Sequence, residues 1–333
     1  MKLQTQIPLA KAHHQIDYNS QLLLLGSCFV EHIGDKLHYF KFQSVQNPFG
    51  ILFHPVAIEN LISRAVKQQK YTEEDIFFLN ERWHCFEAHS DLSSSSKEQL
   101  LLHLNQGLEK TLGQLKKATH IVITLGTAWV YETKLSNTIV ANCHKVPQKE
   151  FSKKLLSVED IEKSLTNTIA IIKTINDNIQ FIFTISPVRH LKDGFTENQL
   201  SKAHLMTALH KILNSPLLLN AVAERSLSEV PPLGGRGLLF PSYEIMMDEL
   251  RDYRFYAEDM VHPNSLAIQY IWEKFTYVWI SEAAQATMVE IDSIQKGWQH
   301  KSFHPDSEAH QQFLKKLETK MQSLQKKLPF LEF

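Results

Sequence analysis

"LLLLGSCF", residues Leu22–Phe29, sets four leucines directly against a glycine, a serine and a cysteine. Three readings compete for such a stretch: a buried strand that ends at a nucleophile, a lipoprotein processing site, and ordinary core. Lipidation needs a basic start and an apolar stretch of about 7–15 residues ahead of the cysteine. Upstream stand His13, His14, Gln15, Asp17, Asn19 and Gln21, so the apolar run is too short for that signal. A brief apolar run closed by glycine is the pattern of a buried strand, and Leu22–Leu25 is predicted to be the first strand of a sheet.

The pattern recurs outward from there. Phe42–Val45 reads as a second strand that stops at Asn47-Pro48-Phe49-Gly50, and Pro55 opens a helix with Ile58, Leu61, Ile62 and Ala65 on its apolar face. Leu101, Leu104, Leu108 and Leu115 form a stripe that feeds the strand "HIVITLG" at His120–Gly126. A second stripe, Val158, Ile161, Leu165, Ile169 and Ile172, is capped by Ser157 and feeds "FIFTISP" at Phe181–Pro187. Strands alternating with helices predict an α/β class with a central parallel sheet.

Two stretches, "FFLNERWHCFEAHS" (Phe77–Ser90) and "WVYETKLSNTIVANC" (Trp129–Cys143), read as hairpin insertions over the strand ends. Trp83, Trp129 and Tyr131 on them can stack on a sugar or simply pack. "SSSS" at Ser93–Ser96 is a flexible link or a helix lead-in. "LGGRG" at Leu233–Gly237 lacks the Gly-Lys-Ser/Thr ending of a phosphate loop and reads as a permissive turn. Leu314, Leu317, Met321, Leu324 and Leu328 mark an amphipathic helix too short to stand alone. The expected organisation is a main domain over residues 1–290 and a helical extension over 291–333 that packs back on it, with a dimer contact through that helix as the alternative.

The chain has 333 residues, 43% of them hydrophobic and 21% charged, which supplies a large globular core. Its 35 basic and 36 acidic residues balance, and no basic block suggests a nucleic-acid partner. Cys28, Cys85 and Cys143 are too few to form a disulfide framework, and without a secretion signal the expected compartment is the reducing cytoplasm. No apolar stretch approaches the roughly 20 residues of a membrane span. The 17 histidines are scattered, with no Cys-x-x-Cys or His-Glu-x-x-His, so neither metal nor cofactor is predicted.

Ligands of parallel sheets collect at the carboxyl ends of the strands. Four such stations carry polar side chains: Gly26-Ser27-Cys28, Asn47-Pro48-Phe49-Gly50, Gly126-Thr127, and Ser186-Pro187-Val188-Arg189-His190. A fifth is Asp259-Met260-Val261-His262, where the carboxylate can meet one imidazole nitrogen while the other faces a nucleophile. Each has a bland counterpart: Ser27 as a helix cap, Asp259 and His262 as a loop-closing pair, Arg189 as the anchor of a carboxylate. Cys28 is a rival nucleophile, since a thiolate is stronger than an alcohol. If Ser27 faces His262, Cys28 is expected to face the packed interior.

The blocks "GSCF", "NPFG", "LGTAWVY", "ANCHKVP", "ISPVRH" and "FPSYEIMMDELRDYRFYAEDMVHP" together resemble the GSCFA family, which is similar to SGNH/GDSL-type esterases. The likeness covers about residues 20–280. It implies a flavodoxin-like three-layer sandwich with Ser27 as nucleophile, His262 as general base and Asp259 as its orienting acid. SGNH esterases usually place an asparagine after the third strand in a Gly-x-Asn-Asp block, whereas this chain reads Gly126-Thr127-Ala128-Trp129. The replacement oxyanion donor stays open among Asn47, Asn142 and the backbone of Ser27, Cys28, Gly50, Gly126 and Thr127. His144, Arg189 and His190 are further substrate candidates. The expected function is that of a serine esterase or O-acyltransferase acting on acyl esters of a carbohydrate or glycoconjugate. The alternatives are a Cys28-based thioesterase and a non-catalytic carbohydrate-binding protein.

Overall fold

The structure, a computed structural model, describes residues 4–215 and 238–333, so the Leu233–Gly237 turn lies outside the described residues. In chain order its elements are β1 (Gln21–Gly26), α1 (Cys28–Tyr39), β2 (Gln43–Gln46), α2 (Pro55–Val66), β3 (Phe77–Leu79), β4 (Arg82–His84), α3 (Lys97–Lys117) and β5 (His120–Leu125). There follow β6 (Trp129–Thr133), β7 (Ile139–Val140), β8 (Phe151–Leu155), α4 (Val158–Lys173), β9 (Gln180–Ile185), α5 (Phe195–Leu213) and β10 (Leu239–Phe240). Three long helices close the chain: α6 (Ser265–Trp279), α7 (Glu282–Gln299) and α8 (Glu308–Lys327).

Five parallel strands form the central sheet in the order β10-β9-β5-β1-β2. Side chains alternate between the faces of a strand, and β1 divides its leucines accordingly. Leu23 and Leu25 join a core with α2, α3, α4 and α5, while Leu22 and Leu24 join a core with α1, α6 and α7. Both faces are covered, which gives the α/β three-layer sandwich of flavodoxin-like topology. Strand β2 starts one residue later than expected because Phe42 leaves the ladder and stacks on Tyr18, with centroids 4.5 Å apart.

This strand order carries a functional consequence. The chain moves from β1 outward to β2, then returns past β1 to β5, so a crevice opens between the carboxyl ends of β1 and β5. The register sets Gly26 opposite Thr124, and Thr124 opposite Thr184.

The insertions form as β-structure. Strands β3 and β4 pair antiparallel, and β6 pairs with both β7 and β8. Strand β8 escapes sequence reading because of its five residues only Phe151 is buried, leaving no alternation to detect. Backbone bonds from His89 to the Phe49 carbonyl and from Ala141 to the Phe86 carbonyl tie both insertions to the loop after β2. Ser96 caps α3 by accepting from the Gln99 N–H, so the serine run is a helix lead-in. Ser157 and Asp160 form a capping box at the start of α4.

The final helix α8 packs on α7, with Leu317 and Leu324 buried and Leu314, Met321 and Leu328 half-buried. A Cβ on Gly297 would stand 2.7 Å from Leu317 Cδ2, so any larger residue there would make the Leu317 side chain shift. Helix α7 runs unbroken through residue 290. No helix among the described residues is long and apolar enough to cross a membrane.

Candidate active site

Ser27 sits between β1 and α1, where it is the N-terminal cap residue of the helix. Gly26 makes this junction possible. Its φ of +137° is unfavourable for a residue with a side chain, and a Cβ there would collide with the Thr124 carbonyl oxygen on β5. Asn47, at the carboxyl end of β2, fastens the turn: its Oδ1 accepts from the Gly26 N–H at 3.0 Å, and its own N–H donates to the Leu24 carbonyl at 2.9 Å. Leu52 N–H closes the other side by donating to the Gly26 carbonyl at 3.0 Å.

The Ser27 side chain is fully buried, and its Oγ has no hydrogen-bond partner among the described residues. It makes no cap bond to α1 either. Cap serines normally satisfy a helix N–H and buried hydroxyls are normally paired, so this one is doubly unusual.

The Asp259–His262 pair forms as the spacing predicts. Asp259 Oδ1 accepts from the N–H groups of Val261 and His262, each at 2.9 Å, and Oδ2 meets His262 Nδ1 at 2.5 Å. These bonds hold the Asp259 carboxyl down at about 2, with the His262 backbone bond the largest cause, followed by its side-chain bond. An ionised carboxylate can only accept, so Nδ1 carries the proton and Nε2 is left as the basic nitrogen. The loop is fixed by Ala257 N–H donating to the His262 carbonyl and by Asn264, whose side chain caps α6 and ties back to the Arg254 and Tyr256 carbonyls.

His262 lies close enough to His32 on α1 and to His190 after β9 to disfavour the charged form of both. His190 and Ser27 both border Gly126. The point that a Cβ on Gly126 would occupy lies 3.1 Å from His190 Nε2 and 3.2 Å from Ser27 Cβ. The segments that follow β1, β5 and β9 therefore meet beside Gly126, and the Asp259–His262 loop is near enough to act electrostatically on His190. No hydrogen bond joins Ser27 to His262 among the described residues.

Other candidates have structural engagements. The Ser27 N–H donates to the Thr124 carbonyl, the Gly50 N–H to the Asn47 carbonyl, and those of Gly126 and Thr127 both to the Phe53 carbonyl. Asn142 accepts from the His144 N–H, and His144 Nε2 pairs with the Cys85 carbonyl inside the insertions, away from Ser27. Burial pushes His144 down to about 4. Arg189 directs Nη2 at Met247 Sδ, and among the described residues no carboxylate lies within ion-pair distance of it. Trp83 packs against Phe78, Trp129 donates Nε1–H to the Glu197 carbonyl, and Tyr131 meets Phe151 edge-on.

Cys28 corrects the expectation of an apolar setting. It is half-buried, outside both apolar clusters, and sits near Glu31 and Lys202. Burial is the main cause raising its thiol pKa, which lowers the thiolate fraction near neutrality.

Sequence reading missed the α5 contribution. Lys202 is fully buried, and its Nζ donates to the carbonyls of Gly126 at 2.7 Å and Ser186 at 2.8 Å, joining the ends of β5 and β9. Burial lowers it to about 7. Asn198, one turn earlier, accepts from the His190 N–H through Oδ1 at 2.9 Å, while its buried Nδ2 has no partner among the described residues. Ser201 bonds Thr127 Oγ1 and the Ala128 N–H. A signal existed: the apolar stripe Leu205, Leu209, Ile212 continues toward the helix start as Asn198, Ser201 and Lys202, a polar run on a buried face.

Among the described residues no cluster of three or more His, Cys, Asp or Glu is placed to hold a metal ion. The sequence matches no curated protein. Residues 291–333 match the family model described as "GSCFA domain protein, C-terminal domain". Residues 21–275 match the GSCFA family model, a span that takes in β1 through most of α6 and every residue of the crevice. The chain belongs to the GSCFA family.

Proposed function

We propose that the chain is a serine esterase or O-acyltransferase of SGNH/GDSL type, acting on acyl esters of a carbohydrate or glycoconjugate. The observation that carries this reading is the buried, unpartnered Ser27 hydroxyl at the β1/β5 crevice. A hydroxyl left unpaired in a protein interior costs about 1–3 kcal/mol, a cost that a nucleophile repays when it meets its base and substrate. The Asp259–His262 pair supports the reading, because its hydrogen bond leaves Nε2 free to accept a proton.

In the proposed reaction the Ser27 Oγ attacks the acyl carbonyl carbon and the carbonyl π pair moves onto oxygen. The hydroxyl proton passes to His262 Nε2. Collapse of the tetrahedral intermediate expels the alcohol, which takes that proton, and leaves an acyl group on Ser27. Water or a second hydroxyl then repeats the sequence in reverse. Ser–His contacts of this kind are often long before substrate binds and tighten in the complex, which accommodates the missing bond.

The test is covalent labelling with a fluorophosphonate, followed by mass spectrometry of the modified peptide. One label on Ser27, lost in Ser27→Ala and retained in Cys28→Ala, is the expected result. Labelling that survives Ser27→Ala and vanishes in Cys28→Ala would transfer the role to the thiol. No labelling, together with no turnover on a panel of acylated sugars, would leave a binding protein.

A further inference from the structure

We infer that the His190 imidazole, through Nε2–H, is the side-chain donor to the oxyanion formed at Ser27, the role that asparagine fills after the third strand in SGNH-type enzymes. The inference rests on the Ser27 reading. A tetrahedral intermediate needs hydrogen bonds aimed at its oxygen, yet the N–H groups of Ser27, Gly50, Gly126 and Thr127 are already spent on carbonyls. The Asn47 side chain is tied to Gly26 through Oδ1 and turned toward Glu31 Oε1 through Nδ2, while Asn142 accepts a bond within its own loop. The first N–H groups of α1 lack intrahelical acceptors by geometry, and they supply backbone donors only.

His190 is the titratable side chain that shares the space beside Gly126 with Ser27. Its Nε2 and Ser27 Cβ lie 3.1 and 3.2 Å from where a Gly126 Cβ would be, so the absence of a side chain at Gly126 leaves room for both. The ring is held on two sides. Its backbone N–H is bound by Asn198 Oδ1, and Phe53 meets it edge-on with centroids 5.3 Å apart.

The surroundings favour a donor over a base. Burial, Lys202 and His262 together push His190 down to about 4, so the ring is neutral at neutral pH and keeps one N–H. No carboxylate lies within ion-pair distance of His190 among the described residues, whereas His262 has Asp259. An imidazole whose charged form is disfavoured is a poor proton acceptor and a serviceable hydrogen-bond donor.

The experiment is the rate of fluorophosphonate labelling at Ser27 in the full chain, with unfolding midpoints measured in parallel. His190→Ala should slow labelling about 10²–10³-fold, and His190→Gln, which retains a donor, should recover part of that loss. The pH dependence of the residual rate should stay that of the wild type, and His262→Ala should change it. Wild-type protein that does not label at Ser27 would overturn the underlying reading and this inference together. Normal wild-type labelling with an undiminished rate in a folded His190→Ala would overturn this inference alone. So would a pH dependence that disappears with His190 and survives loss of His262, since His190 would then be the base. If the variants do not fold, ¹⁵N spectra of wild-type protein decide. The phosphonylated enzyme should show a protonated, hydrogen-bonded His190 Nε2, and an unprotonated Nε2 there refutes the assignment.

Discussion

Ser27→Ala should make the protein more stable while abolishing its labelling. The Oγ is buried without a partner and makes no cap bond to α1, so its removal loses no described hydrogen bond. What it relieves is the desolvation of an unpaired hydroxyl, about 1–3 kcal/mol, less the few dispersion contacts of one oxygen atom. The net gain should be about 1 kcal/mol, a rise in melting temperature of roughly 2 °C for a chain of this length. The matched control is Ser96→Ala. Ser96 Oγ accepts from the Gln99 N–H at 3.1 Å, so the same chemical change should there cost about 1 kcal/mol. Thermal or urea unfolding of the two variants beside the wild type reads the difference in sign. A Ser27→Ala protein destabilised as much as Ser96→Ala would mean that the hydroxyl is bonded in the fold and is not held ready for a reaction.

Three further outcomes follow from the same geometry. Gly26→Ala combines a φ of +137° with a collision against the Thr124 carbonyl, and should cost more than about 2 kcal/mol and remove labelling; unchanged stability would show that the β1–α1 junction relaxes without strain. Asp259, held at about 2 against 3.8, should titrate in ¹³C spectra well below an ordinary aspartate; the stability contributed by its bonds to His262 is fully present above about pH 4 and is lost as pH falls through 2. Lys202, lowered to about 7 from 10.5, binds fewer protons folded than unfolded between those values, so its contribution to stability rises with pH across that window; the difference between wild-type and Lys202→Met unfolding curves should carry this slope, at most about 1.4 kcal/mol per pH unit, and a flat difference would refute the buried lysine.

Much of the architecture was legible because its causes are local. The run Leu22–Leu25, the stripes of α2, α3 and α4, and the cap at Ser157 each carry a signal within a few residues, and all form as elements near their expected limits. The Asp259–His262 bond is local too, since three residues of one tight loop suffice to make it. The polar β8 edge strand was not legible, because an exposed strand leaves no alternation in its sequence.

What only the tertiary structure decided is the role open to each polar group, because that depends on which neighbours claim its hydrogen bonds. Nothing near Gly126 or Thr127 in the chain indicates that the Phe53 carbonyl, more than 70 residues earlier, takes both of their N–H groups. Lys202 reads in sequence as an ordinary helix lysine, and it is the return of α5 across the sheet that buries it beneath Gly126 and Ser186. His190 and Ser27 lie more than 160 residues apart in the chain and meet beside Gly126 because β9, β5 and β1 are adjacent in the sheet. Sequence alone determined which residue types stood at the strand ends, since periodicity and turn chemistry act at short range. Strand order and burial, which sum interactions across the whole chain, determined which of them face one another and which are already satisfied.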